Sequence, residues 1–157
     1  MIYTPMTNKA IKLMYEAHKN QLDKSGIPYV FHPWHVAESM TDEKRCIVAL
    51  LHDVIEDTDI TIDNLRQEGF PEDVIEAIDV LTHKEGVDYA EYIRNIAHNP
   101  IAIDVKISDL LHNLDKSRLS DDLKTSKVKN ELYQSSVNYL LRVKKIQDIK
   151  NTSKNNR

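Results

Sequence analysis

The stretch Ala49-Leu50-Leu51-His52-Asp53-Val54-Ile55-Glu56-Asp57-Thr58 restricts what this chain can become more than any other. An apolar run leads straight into four polar side chains. Helical geometry repeats every 3.6 residues, so positions three and four apart share a face. His52 and Glu56 are four apart, Asp53 and Glu56 three, Asp53 and Asp57 four. One side of the expected helix therefore carries an imidazole and three carboxylates, while Leu50, Leu51, Val54 and Ile55 face a core. Such a cluster beside an apolar run is unfavourable unless a cation or a substrate compensates it.

The rest of the chain also reads as helix. Only 3 Gly and 5 Pro occur in 157 residues, and alternating apolar-polar runs are almost absent. The expected architecture is all-α, a single-domain helical bundle over residues 1–150, with 151–157 a frayed tail. Helices are expected from Thr7 to Leu22, from His32-Pro33, and from Thr41-Asp42-Glu43 continuously to Thr58-Asp59. Further helices follow at Thr61 to Gln67 (closed by Gly69), from Pro71, at Asp88 to Ala97 and at Pro100 to Lys116. After a polar break at Arg118 to Asp122, the last runs from Leu123 to Ile149, with Leu123, Val128, Leu132, Leu140, Val143, Ile146 and Ile149 as its apolar stripe.

Charge and cysteine content narrow the function. The net charge of −4 divides unevenly: residues 1–80 carry 7 Lys+Arg against 15 Asp+Glu, residues 81–157 carry 14 against 10. The acidic half holds the His52–Asp57 stretch, which suits a cation site. Basic density is too low for a nucleic-acid surface, so no nucleic-acid partner is expected. Cys46 is the only cysteine, which excludes an intramolecular disulfide and a thiolate-rich metal site. With no signal peptide and no apolar span of transmembrane length, the expectation is a cytoplasmic protein with no membrane contact, its oligomeric state left open.

The candidates for chemistry are few. His32 stands at a helix start, His52 and Asp53 on one helix, and Asp109 on a later, mainly apolar helix. Two imidazole nitrogens and two carboxylates suit Mn²⁺, Fe²⁺, Co²⁺, Ni²⁺ or Zn²⁺. A water on such an ion is acidified and becomes a nucleophile near neutral pH, and Glu56 and Asp57 could orient it or shuttle protons. His18 reads as a hydrogen-bonded core residue, His35 as a surface or supporting residue, and His112 as structural.

Four ordered runs carry a resemblance. They are His18-x-x-Gln21-x-x-Lys24-Ser25-Gly26-x-Pro28-Tyr29; His32-Pro33-x-x-Val36-Ala37; Ala49-Leu50-Leu51-His52-Asp53-Val54-x-Glu56-Asp57-Thr58; and Lys106-x-x-Asp109-x-x-His112-Asn113. Together they resemble the HD superfamily of metal-dependent phosphohydrolases, and within it the hydrolase domain of the RelA/SpoT family, in the manner of its small stand-alone alarmone hydrolases. The resemblance implies an HD-type helical bundle that removes the 3′-pyrophosphate from (p)ppGpp. It implies His32, His52, Asp53 and Asp109 as metal ligands, Mn²⁺ as the metal and Glu56 and Asp57 as catalytic residues. It also implies a small-molecule nucleotide substrate contacted by Lys24, Ser25 and Asn113. The chain departs from the family at Asp23, where a basic residue is usual, at Ile27, where an acid is common, at Leu110 in place of an arginine, and in Leu81-Thr82-His83-Lys84. These departures leave two alternatives: an HD phosphohydrolase for another nucleotide or dinucleotide phosphate, and a catalytically idle nucleotide-binding protein. The intact Glu56-Asp57 pair counts against the second.

Overall fold

A computed structural model describes residues 1–115, 117 and 127–155, and all the regular elements among them are helices. In chain order these are α1 (Pro5–His18), α2 (Phe31–Glu38), α3 (Glu43–Leu51), α4 (Val54–Asp57), α5 (Ile62–Gln67), α6 (Glu72–Leu81), α7 (Tyr89–Ile96), α8 (Pro100–Leu114) and α9 (Lys127–Asn155). The all-α expectation is met. The expected break at Arg118 to Asp122 and the expected helix start at Leu123 lie outside the described residues.

Local chemistry sets the helix starts. Thr4 caps α1 and Thr7 returns the bond to the Thr4 backbone, with Pro5 at the first helical position. Thr61 and Asn64 make the same reciprocal cap on α5. Asp88 caps α7, and Asn99 caps α8 ahead of Pro100. After α5 the chain turns at Gly69 with φ +81°, a left-handed conformation that a side chain would strain.

The core is built around α3. Cys46, Ile47, Val48, Ala49, Leu50 and Leu51 are all buried, because α1, α2, α6 and α8 pack on this helix. A helix apolar all round belongs at the centre of a bundle. Each large aliphatic side chain buried there contributes about 1.5–3 kcal/mol. Val74, Ile75, Ile78 and Leu81 of α6 and Ala102, Ile103, Val105 and Leu110 of α8 complete the core. Among the described residues, no helix is long and apolar enough to cross a membrane.

Three expectations need correction. The helix expected to run from residue 41 through 58 is interrupted at His52 and Asp53, between α3 and α4. The His52 Nδ1 lies 2.7 Å from the Ala49 carbonyl, the group that a continuous helix would offer to the next turn, and Asp53 sits at φ −103°, ψ −5°. Next, α1 stops at His18 rather than reaching Leu22. Residues 21–29 instead fold back on themselves: Asp23 N donates to Ile27 O (2.8 Å) and Tyr29 N to Gln21 O (2.9 Å). The Asp23 carboxylate accepts from the amides of Ser25 (2.8 Å) and Ile27 (2.9 Å), which closes the loop. Finally, the apolar stripe of α9 is not buried along its length. Val137 and Leu140 are buried, whereas Val128, Leu132, Ile146 and Ile149 are exposed. A helix of 29 residues extends about 43 Å at 1.5 Å per residue, longer than the face α8 offers it.

Candidate active site

The break between α3 and α4 aims two neighbouring side chains into one space. There, one ligand atom each from His32, His52 and Asp109 lie within 4.8 Å of one another. His32 Nε2 is 3.2 Å from Asp109 Oδ1 and 3.6 Å from Asp53 Oδ2. His52 Nε2 is 3.0 Å from Asp53 Oδ2 and 4.0 Å from Asp109 Oδ1. The four residues come from the start of α2, the α3–α4 break and the middle of α8. The packing of α2 and α8 on α3 brings them together.

The imidazoles are oriented from behind. The Ala49 carbonyl can only accept, so His52 Nδ1 carries the proton that it receives. That leaves Nε2 as the variable nitrogen; it is buried and makes no hydrogen bond. His32 Nδ1 lies 2.8 Å from His112 Nδ1, and the His32 ring packs tilted against the rings of Tyr29, His52 and His112. If His32 Nδ1 donates to His112, both His32 Nε2 and, once its proton has left, His52 Nε2 present lone pairs to the same point. A buried nitrogen without a hydrogen bond, beside the buried Asp109 and the partly buried Asp53 carboxylates, fits a divalent cation, and backing hydrogen bonds of this kind are what metal-ligating histidines use.

The carboxylates are oriented as well. Tyr29 Oη donates to Asp53 Oδ2 at 2.5 Å. Asp109, only 4 % exposed, takes the Lys106 ammonium on Oδ2 at 2.8 Å and the Asn113 amide on Oδ1 at 2.6 Å. Burial alone would raise the Asp109 carboxyl, but Lys106 and then His32 overcome it and hold it well below the usual carboxylate range. Burial would likewise raise Asp53, yet the His52 charge holds it at about 2. Burial would lower the His52 imidazole, but the Asp53 charge overrides it and raises it to about 9 without a metal. Burial first, and then Asp53, push the Tyr29 hydroxyl up, so it stays a donor.

The cluster opens into a cleft of about 850 Å³. The 21–29 loop supplies one wall with Asp23, Ser25, Ile27 and Pro28. The other wall is His83, Tyr89 and Tyr92, together with Val128, Lys129, Leu132 and Tyr133 of α9. Glu56 lines the cleft, and its Oε2 accepts from the His83 amide at 3.0 Å. Asp57 keeps much of its surface in solvent and is not part of the lining, and its carboxyl is pushed up by partial burial and then by Asp53. Ser25 lines the cleft with a buried hydroxyl that makes no hydrogen bond, whereas Lys24 is exposed and off the lining. Asn113 lines the cleft while bonded to Asp109. His18 is fully buried with Nδ1 2.8 Å from Gln21 Oε1, and His35 is exposed beside Glu38.

Sequence reasoning gave no role to Tyr29 or Lys106, and none to the His83 amide. Lys106 had an available signal, since it lies one turn before Asp109 on the same helix. Tyr29 had only its place in the first of the four ordered runs, because its partner Asp53 is 24 residues away.

Comparison with known proteins places the chain in a family. A family described as HD domain matches residues 10–135. A guanosine-3′,5′-bis(diphosphate) 3′-pyrophosphohydrolase from Aquifex aeolicus is 31 % identical over 135 residues, covering 78 % of this chain and 19 % of that protein. A probable GTP pyrophosphokinase from Mycobacterium leprae is 31 % identical over 122 residues, covering 69 % of this chain and 15 % of that protein. The chain thus spans a fifth or less of the length of these curated relatives. A solved structure, described as a metazoan ortholog of SpoT that hydrolyzes ppGpp, superposes with TM-score 0.71 at 23 % identity over 90 % of this chain and 88 % of that one, a likeness of fold.

Proposed function

This chain belongs to the HD-domain family, with homology to RelA/SpoT-type proteins, and from that premise we propose that it is a metal-dependent phosphohydrolase that removes the 3′-pyrophosphate from (p)ppGpp. In this reading residues 1–150 form the hydrolase unit and the protein works in the cytoplasm. The observation that carries the proposal is the buried His52 Nε2, which makes no hydrogen bond and lies among His32, Asp53 and Asp109. Those four residues hold a divalent ion, Mn²⁺ in this proposal. When bound, the ion supplies Lewis acidity and an acidified water.

The protein's own groups do the rest. Ala49 O and His112 fix the two imidazoles, and Tyr29, Lys106 and Asn113 fix the two carboxylates. Glu56, held toward the cleft by the His83 amide, is the proton-handling group, and Asp57 adds negative charge behind Asp53. Ser25 offers its hydroxyl to the nucleotide, with Lys24 beside it in the same loop, and Asn113 reaches the substrate from the floor beside Asp109.

Two observations favour a second reading. Asp23 places a carboxylate in the cleft wall, and the Leu110 side chain cannot pair with a phosphate. Both suit a nucleotide or dinucleotide phosphate other than (p)ppGpp. The test is to incubate the purified protein and Mn²⁺ with ppGpp, pppGpp, NADPH and simple nucleoside monophosphates, with EDTA and a His52→Ala, Asp53→Ala variant as controls. Metal-dependent release of pyrophosphate from ppGpp or pppGpp is the expected result. Turnover of the other compounds alone replaces it with the second reading, and no turnover of any refutes both.

A further inference from the structure

Lys106 lies one turn before Asp109 on α8, its side chain only 14 % exposed. The ammonium is 2.8 Å from Asp109 Oδ2 and 5.3 Å from the centre of the Tyr92 ring. Tyr92 is itself pinned, because its hydroxyl donates to the Leu81 carbonyl at 2.5 Å. The cation therefore has a fixed seat, held by an aromatic face on one side and a carboxylate oxygen on the other. The two oxygens of Asp109 consequently face different partners. Oδ2 is turned to the ammonium, while Oδ1 lies 3.2 Å from His32 Nε2 and 4.0 Å from His52 Nε2. The Cβ–Cγ torsion of an aspartate is broad, so nothing intrinsic to the residue keeps the second oxygen away.

We propose that Lys106 is a positioning residue that, by holding Asp109 Oδ2, limits Asp109 to one oxygen at the metal site. The proposal rests on the metal-site reading given above. A hydrolytic metal site needs an open position for water and substrate, and a carboxylate that chelates with both oxygens takes up that position. With Lys106 in place the position stays open, and the ammonium also adds positive charge where an anionic phosphate arrives. Without it, Asp109 turns its second oxygen inward; the ion stays and the open position closes.

The test compares wild type with Lys106→Met, which keeps the length and apolar stem, and Lys106→Arg, which keeps a donor. Mn²⁺ affinity is measured by titration of the free-ion electron paramagnetic resonance signal. The exchangeable waters on bound Mn²⁺ are counted by proton relaxivity with Mn²⁺ alone. Turnover is followed on the nucleotide found active in the panel above. Lys106→Met is expected to bind Mn²⁺ with fewer exchangeable waters and, at saturating Mn²⁺, to lose about 10–100-fold in kcat. Lys106→Arg is expected to recover both. An unchanged water count in Lys106→Met overturns the proposal, and so does a folded Lys106→Met protein that no longer binds Mn²⁺. A wild type that binds no Mn²⁺ removes the metal-site reading and this proposal with it. Should Lys106→Met not fold, Lys106→Gln is read by the same two metal measurements.

Discussion

The His52 imidazole makes the affinity of the site for metal a matter of pH. Nδ1 is committed to the Ala49 carbonyl, so Nε2 is where a proton and a metal compete. In the metal-free protein the Asp53 and Asp109 charges outweigh burial and raise the imidazole to about 9. At pH 7 metal must then displace a proton held about 100-fold more tightly than one that would be half lost there, a handicap of about 3 kcal/mol. Asp53 and Asp109 are held low and stay ionised throughout this range, so they leave the slope alone. Mn²⁺ affinity is expected to rise about tenfold per pH unit from pH 7 and to level off near 9. Anaerobic Mn²⁺ titrations followed by electron paramagnetic resonance at several pH values measure it, and calorimetry in buffers of different ionisation heat should count about one proton released per ion at pH 7. The metal-free fold carries the matching sign. A value raised above the ordinary 6.5 contributes stability that is fully present below 6.5 and is lost as pH rises through about 9, about 3 kcal/mol in all. An affinity that stays flat from pH 6 to 9 would refute the reasoning, because it would show that no proton occupies Nε2.

Other substitutions separate the roles within the site. Glu56→Gln is expected to leave Mn²⁺ affinity within a few-fold of wild type while lowering kcat about 10²–10⁴-fold, since Glu56 reaches the cleft but not the ligand cluster; loss of metal binding would show that it is a ligand. Tyr29→Phe removes the donor to Asp53 Oδ2 and is expected to weaken Mn²⁺ binding about 10–100-fold, read in the same titration. Leu50→Ala, in the last turn of α3 and fully buried, is expected to cost about 2–5 kcal/mol in chemical denaturation without changing the metal stoichiometry. Asp23→Ala opens the 21–29 loop by removing the acceptor for two amides, and is expected to raise KM more than it lowers kcat in steady-state kinetics.

Much of the molecule was legible along the chain because the signals are local. The helix beginning at Thr61, Pro100 at a helix start, the turn at Gly69 and the three- and four-residue spacing of apolar residues in α6 depend on neighbours a few residues away, and the structure keeps each of them. The residue types of the site were legible too, because an imidazole and several carboxylates beside an apolar run are unfavourable without a cation. Only the tertiary structure decided how they meet. Asp109 is 77 positions beyond His32, and no periodicity states that the two lie 3.2 Å apart; the packing of α2 and α8 on α3 sets that distance. The chain also reads as one unbroken helix from 41 to 58, with Glu56 and Asp57 as equals. The break at His52 and Asp53 aims Glu56 into the cleft and leaves Asp57 off its wall, because the His52 side chain takes a backbone carbonyl that a regular helix would keep. Tyr29 and Lys106 hold the two carboxylates by direction as much as by identity, and side-chain direction follows from packing.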